Sequence, residues 1–228
     1  GAALAFGATA ALRGLGTEFV SFHPGHPSAI PTGHPYGFPA KIPIRIKYEP
    51  EALLELRDLC EDIGERFTAE YNDAMREIDP GVDPVSDAFS ATSPSGTLVN
   101  YPAALGAGYG LPLSARFIGA SVRQTLLTPD LETAFAEQKS RPRIYVSLGS
   151  FFSARSDILR KIVTAFQREP VELVIDSSET PRSELGQIPA HWTVAEHLPQ
   201  PSVIAHSSLV ITHGGNNTVT EALTGGVP

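Results

Sequence analysis

Leu209-Val210-Ile211-Thr212-His213-Gly214-Gly215-Asn216-Asn217-Thr218-Val219-Thr220-Glu221-Ala222-Leu223 decides how the rest of the chain is read. Its first four residues are apolar or β-branched and form a strand pattern. Two glycines follow, and a helix is expected from Asn217 to Leu223. A helix that opens straight from a strand end presents unpaired N–H groups and a positive dipole end, which suit a phosphate or diphosphate. His213 adds a further donor. A structural reading competes. Thr218 and Glu221 have capping-box spacing, and Asn217 is a good N-cap. A purely structural turn, however, has no need of an imidazole beside two glycines.

Upstream, Ile144-Tyr145-Val146-Ser147-Leu148 reads as a strand that runs into Gly149-Ser150. A helix is expected from Asp157 to Arg168, then a strand from Val171 to Asp176. Strands alternating with helices imply βα units and a parallel sheet, so the fold class is α/β. Ligands of such sheets bind at the carboxyl ends of the strands. Gly149 permits close backbone approach and Ser150 offers a hydroxyl and an N–H, although a plain βα turn reads the same way.

The amino-terminal half is less regular. Residues 1–13 are Ala- and Leu-rich and read as a helix ended by Gly14 and Gly16. Glu18 to Phe22 reads as a short strand. Residues 23–50 hold Pro24, Pro27, Pro31, Pro35, Pro39, Pro43 and Pro50, which forbids a regular helix there. Residues 50–78 form the clearest helix, with an apolar stripe of Leu53, Leu56, Cys60, Ile63 and Phe67. Cys60 on that stripe reads as a small buried hydrophobe. Thr97 to Tyr101 and Arg116 to Gly119 read as strands. Residues 121–142 lack a strand signal and carry one short helical pattern from Leu131 to Ala136, so they read as a linker.

Composition narrows the classes. With 42% apolar and 18% charged residues and a mean hydropathy of −0.03, the chain of 228 residues is globular rather than disordered. No run reaches the roughly 18 apolar residues of a membrane span. Seventeen Lys and Arg against 25 Asp and Glu give a net charge of −8 without a basic run, which argues against nucleic acid as a partner. One cysteine can form no internal disulfide and fits a reducing, cytoplasmic compartment. The P-loop, the G-x-S-x-G elbow and H-E-x-x-H are absent, and Gly106-Ala107-Gly108-Tyr109-Gly110 lacks dinucleotide-fingerprint spacing. His23, His26 and His34 suggest a metal cluster only weakly, because no acidic or thiol partner lies nearby. A pocket-lining loop is the better reading, and no metal is expected.

Three stretches together carry a resemblance. Tyr145 to Ser150, His197-Leu198-Pro199-Gln200-Pro201-Ser202-Val203-Ile204-Ala205-His206, and Ile211 to Pro228 resemble, in order and spacing, the nucleotide-sugar-dependent glycosyltransferases of the UDP-glycosyltransferase superfamily. The match is strong over about 143–228 and looser over 1–120. It implies a twin Rossmann-like (GT-B) architecture with both domains incomplete. Residues 1–120 would be the rear of the acceptor domain, 121–142 the interdomain linker, and 143–228 the front of the donor domain. A start at Gly1 without an initiator Met and a stop at Pro228 fit a chain truncated at both ends.

The resemblance also implies roles. Ser150, His213 and the Asn217/Thr218 helix start would contact the diphosphate, with Gly149, Gly214 and Gly215 shaping the turns. Glu221 would hold ribose hydroxyls. His197 would stand where the family stacks an aromatic residue on the base, uracil or thymine. The donor is then a UDP- or dTDP-sugar, the acceptor a hydroxyl of a small lipophilic molecule, and the reaction inverting, with no separate cofactor. The base and its orienting acid are expected upstream of Gly1, so this chain alone is expected to transfer little or no sugar. A non-catalytic, glycosyltransferase-like binding protein and a nucleotide-sugar epimerase are the alternatives. Demand for an acceptor separates the epimerase from the transferase.

Overall fold

A computed structural model of the chain describes residues 5–30, 33–39, 47–90, 93, 95–106, 108–137, 140–149 and 155–228. It divides into two compact units, Gly1–Gly119 and Ala120–Pro228.

The first unit holds a three-stranded parallel sheet of β1 (Ser21–His23), β2 (Thr97–Val99) and β3 (Ala115–Phe117), in that order. Helix α1 (Phe6–Gly14) packs on the long helix α2 (Pro50–Ile78). Close approach depends on Gly14, where an added Cβ would stand 3.0 Å from the Ile78 Cβ. Helix α2 begins with Pro50 in its first turn, where the missing N–H costs nothing, and ends with Arg76 near the negative dipole end.

The face buried by α2 differs from the expected stripe. Cys60, Thr68, Tyr71 and Met75 are buried, whereas Leu56 and Ile63 are exposed. The covering elements explain this. Ala10 of α1 and Ala88, Val82 and Val85 of the following turn pack against Tyr71 and Met75, in the carboxyl-terminal half. Asn72 fastens that turn by exchanging two hydrogen bonds with the Val85 backbone, at 2.9 and 3.0 Å. Helix α3 (Ala103–Gly106) lies between β2 and β3 in the chain.

The second unit contains α4 (Pro129–Glu137), β4 (Arg143–Ser147), α5 (Ser156–Phe166), β5 (Glu172–Asp176), β6 (Thr193–Ala195), α6 (Gln200–Ala205), β7 (Leu209–Thr212) and α7 (Asn216–Thr224). All four strands are parallel, in the order β6-β5-β4-β7. Side chains alternate between the two faces with the period of two that a strand imposes. Ile144, Val146, Leu148, Leu173 and Ile175 meet Leu159 and Val163 of α5. Tyr145 and Val174 face the other way, toward Leu131 and Phe135 of α4, Val203 and Ile204 of α6, and Ala222 of α7. Both faces are covered, which is why β4 and β5 read as nearly unbroken apolar runs.

The segment 121–142, expected as a linker, contributes to this second unit. Leu131 and Phe135 join its core, and Thr125 bonds to Ser202 at 2.8 Å between hydroxyls.

Candidate functional site: the carboxyl edge of the second sheet

In sequence, β4, β5 and β6 run outward to one side of the sheet, and β7 returns to the other side of β4. The order therefore reverses between β4 and β7, at the point where open α/β sheets bind ligands. Two loops leave the sheet there. One follows β4 through Leu148 and Gly149, and the other follows β7 through His213, Gly214 and Gly215.

His213 joins the two loops. A Cβ added at Gly149 would lie 2.5 Å from its Cε1, and one added at Gly215 would lie 2.6 Å from Cε1 and Nε2. The imidazole thus lies between two glycines that are far apart in sequence and adjacent in space, and no larger residue fits at either without moving it. Gly149 also has φ +64°, and Gly214 has φ +86°, both in the left-handed region that favours glycine. Ser150 lies outside the described residues.

The helix start differs from the capping pattern expected of it. Gly215, not Asn217, is the N-cap of α7, and it has no side chain to offer. Asn216, Asn217 and Thr218 make the first turn, and the Val219 N–H closes a helical bond to the Gly215 carbonyl at 3.1 Å. A capping box needs its hydroxyl residue at the cap itself. Thr218 already lies inside the helix, so it forms no such box with Glu221. Both side chains turn to Gln200 instead.

Gln200 is the functional candidate that sequence reasoning missed. Its Nε2 donates to Glu221 Oε2 at 2.5 Å. Its Oε1 accepts from Tyr145 Oη at 2.9 Å and lies 3.4 Å from Thr218 Oγ1. Tyr145 Oη also lies 3.4 Å from Asp176 Oδ2, and Ser178 Oγ donates to Asp176 Oδ1 at 2.9 Å. Ser178 has φ +42°, a left-handed conformation in a residue other than glycine. Burial raises the Asp176 carboxyl above the usual carboxylate range, with Ser178 and the charge of His197 opposing that shift. Burial likewise raises the Tyr145 phenol, helped by Asp176. His197 is exposed, just after β6, and is linked to the network through its effect on Asp176. The structure therefore gathers Gly149, His213, Gly214, Gly215, Asn217, Thr218 and Glu221 around β4 and β7, and leaves His197 at the β6 side.

The amino-terminal histidines engage in local bonds. His23 Nε2 lies 3.2 Å from the His26 carbonyl, and His34 Nδ1 lies 3.2 Å from the Pro35 carbonyl. His26 Nδ1 accepts from the Ser28 N–H, so its neutral ring carries the proton on Nε2. Burial lowers the pKa of His23 and His26, and the proximity of His23 lowers His26 further. Among the described residues no group of three or more His, Cys, Asp or Glu could hold a metal ion. No helix among them is long and apolar enough to cross a membrane.

A parallel sheet with a glycine-lined imidazole at its switch point defines a Rossmann-like domain with a candidate anion site. The pattern of the "UDP-glucoronosyl and UDP-glucosyl transferase" family matches residues 107–228, and the chain belongs to that family. A curated relative, the demethyllactenocin mycarosyltransferase of Streptomyces fradiae, is 31% identical over 170 residues, which is 71% of this chain and 35% of that protein. The solved glycosyltransferase of kitacinnamycin has a TM-score of 0.66 at 21% identity and covers all of this chain, which spans 55% of its length. The glycosyltransferase VinC, solved in complex with DTDP, has a TM-score of 0.60 at 19% identity over 99% of this chain and 51% of its own. The chain spans about a third to a half of the length of these proteins.

Proposed function

We propose that this chain carries the donor site of a glycosyltransferase that moves a hexose from a UDP- or dTDP-sugar to a hydroxyl of a small lipophilic acceptor, with inversion. The observation that carries the reading is the His213 imidazole between Gly149 and Gly215, beside the start of α7. An imidazole and the first-turn amides share one junction there, which suits a diphosphate. In the reaction a base takes the acceptor proton, the acceptor oxygen bonds to the anomeric carbon, and the nucleoside diphosphate leaves with the bonding pair. Stabilising the charge on that leaving group is the task of His213 and the helix start. Residues 1–119 are assigned to the acceptor side and 120–228 to the donor side. The names of the relatives, a mycarosyltransferase and a DTDP-bound transferase, support a sugar nucleotide as donor.

Calorimetric titration with UDP of a protein extended to the length of its relatives tests this reading. His213→Ala is expected to weaken binding at least tenfold, about 1.4 kcal/mol. Unchanged affinity in that variant would rule out the diphosphate assignment. In a protein extended to the length of its relatives, release of free UDP only when an acceptor is present separates a transferase from a non-catalytic binding protein.

A further inference from the structure

The diphosphate chemistry makes no use of the buried hydroxyl beneath α7. Tyr145 is fully buried in β4. Its single phenolic proton serves one acceptor, and Gln200 Oε1 at 2.9 Å is better placed than Asp176 Oδ2 at 3.4 Å. With the Tyr145 hydroxyl on its oxygen, the Gln200 amide turns its nitrogen to Glu221 Oε2. Glu221 is only partly buried, and its Oε1 makes no hydrogen bond among the described residues. One carboxylate oxygen is held and the other is available.

We propose that Tyr145 is a positioning residue that, through Gln200, orients the Glu221 carboxylate toward the ribose hydroxyls of the donor and so sets the preference for a ribonucleoside over a 2′-deoxyribonucleoside diphosphate. This rests on the donor-site reading above, and of the two donors named there it favours the UDP-sugar. Without the phenolic proton, the Gln200 oxygen keeps only the longer Thr218 hydroxyl contact at 3.4 Å, so the amide is held less firmly and the carboxylate that it positions gains freedom. Phenylalanine fills nearly the same space, so the change removes the constraint and leaves the packing.

The test is calorimetric titration of UDP and of 2′-deoxy-UDP into the wild-type protein extended to the length of its relatives, and into its Tyr145→Phe and Gln200→Leu variants. The wild type is expected to prefer UDP by about tenfold, the scale of one hydrogen bond to a charged group. Tyr145→Phe is expected to bring that ratio to about twofold or less, mainly by weakening UDP. Gln200→Leu should do the same, and it decides the matter if Tyr145→Phe does not fold. An unchanged ratio, or equal weakening of both nucleotides, overturns the inference and leaves the donor reading standing. Failure of the wild type to bind either nucleotide overturns the donor reading, and the inference with it.

Discussion

Arg143 and Tyr145 point to the same face of β4, as Glu172 and Asp176 do on β5, yet the two ends of that face differ. At the amino end the Arg143 guanidinium grips Glu172 Oε2 at 2.9 Å, bonds to the carbonyls of His206 and Phe135, and stacks 3.6 Å from the Phe135 ring centre. Glu172 is fully buried. A cavity of about 720 Å³ opens beside Arg143, between α4 and α6, away from the carboxyl edge. At the carboxyl end, Tyr145, Gln200 and Glu221 form a chain that reaches the surface with a carboxylate oxygen to spare. The first end is a buried ion pair, with the Glu172 carboxylate wholly inside and the Arg143 guanidinium at the wall of that cavity. The second is a polar network that opens outward, as a ligand site must.

Breaking the buried ion pair should have the largest effect. Arg143→Met leaves Glu172 buried and uncompensated, so urea unfolding is expected to show a loss of about 3–5 kcal/mol. UDP affinity of the folded fraction should hold, because Arg143 lies at the other end of the strand. A loss confined to UDP binding would contradict the comparison.

The glycines at the open end sharpen it. Gly149→Ala forces an L-residue to φ +64°, with an expected stability loss of about 1–2 kcal/mol. It also pushes on His213. Gly215→Ala has an ordinary φ of −60°, and the three atoms nearest its added methyl all belong to the imidazole. Its expected result is UDP binding weakened about tenfold, with a melting temperature close to the wild type. Equal destabilisation by both would show that backbone strain is not the difference between them.

The smallest effect is a dependence on pH. Burial raises the Glu172 carboxyl above its unfolded value, and Arg143 offsets this only in part. The folded state thus holds that proton more tightly than the unfolded one. Glu172's contribution is complete below the ordinary carboxylate range and is lost as pH rises through the raised value. Glu172→Gln should flatten that part of the stability profile, which thermal unfolding across the acidic range would reveal.

Much of the second unit is legible in the sequence. The strand pattern of β7 coincides with its observed limits, and those of β4, β5 and the helix after β7 agree to within one residue at each end. Buried parallel strands are short apolar runs, and the glycines mark their ends. The exposure of Leu56 and Ile63 on α2 is not legible, since periodicity defines a stripe but not which half of it finds a neighbour. Gln200 stands in a quoted motif without a role, because nothing local links it to Tyr145, 55 residues earlier.

By itself the sequence determined the α/β class, the strand-to-helix junctions at Gly149 and Gly214-Gly215, and the candidate imidazole at His213. These are local properties: side-chain period, backbone freedom and charge. Only the tertiary structure decided that β7 lies beside β4, that one imidazole fills the space two distant glycines leave, and that Gly215 rather than Asn217 caps α7. Those outcomes depend on strand order and on contacts between residues far apart in the chain, which no window of sequence contains.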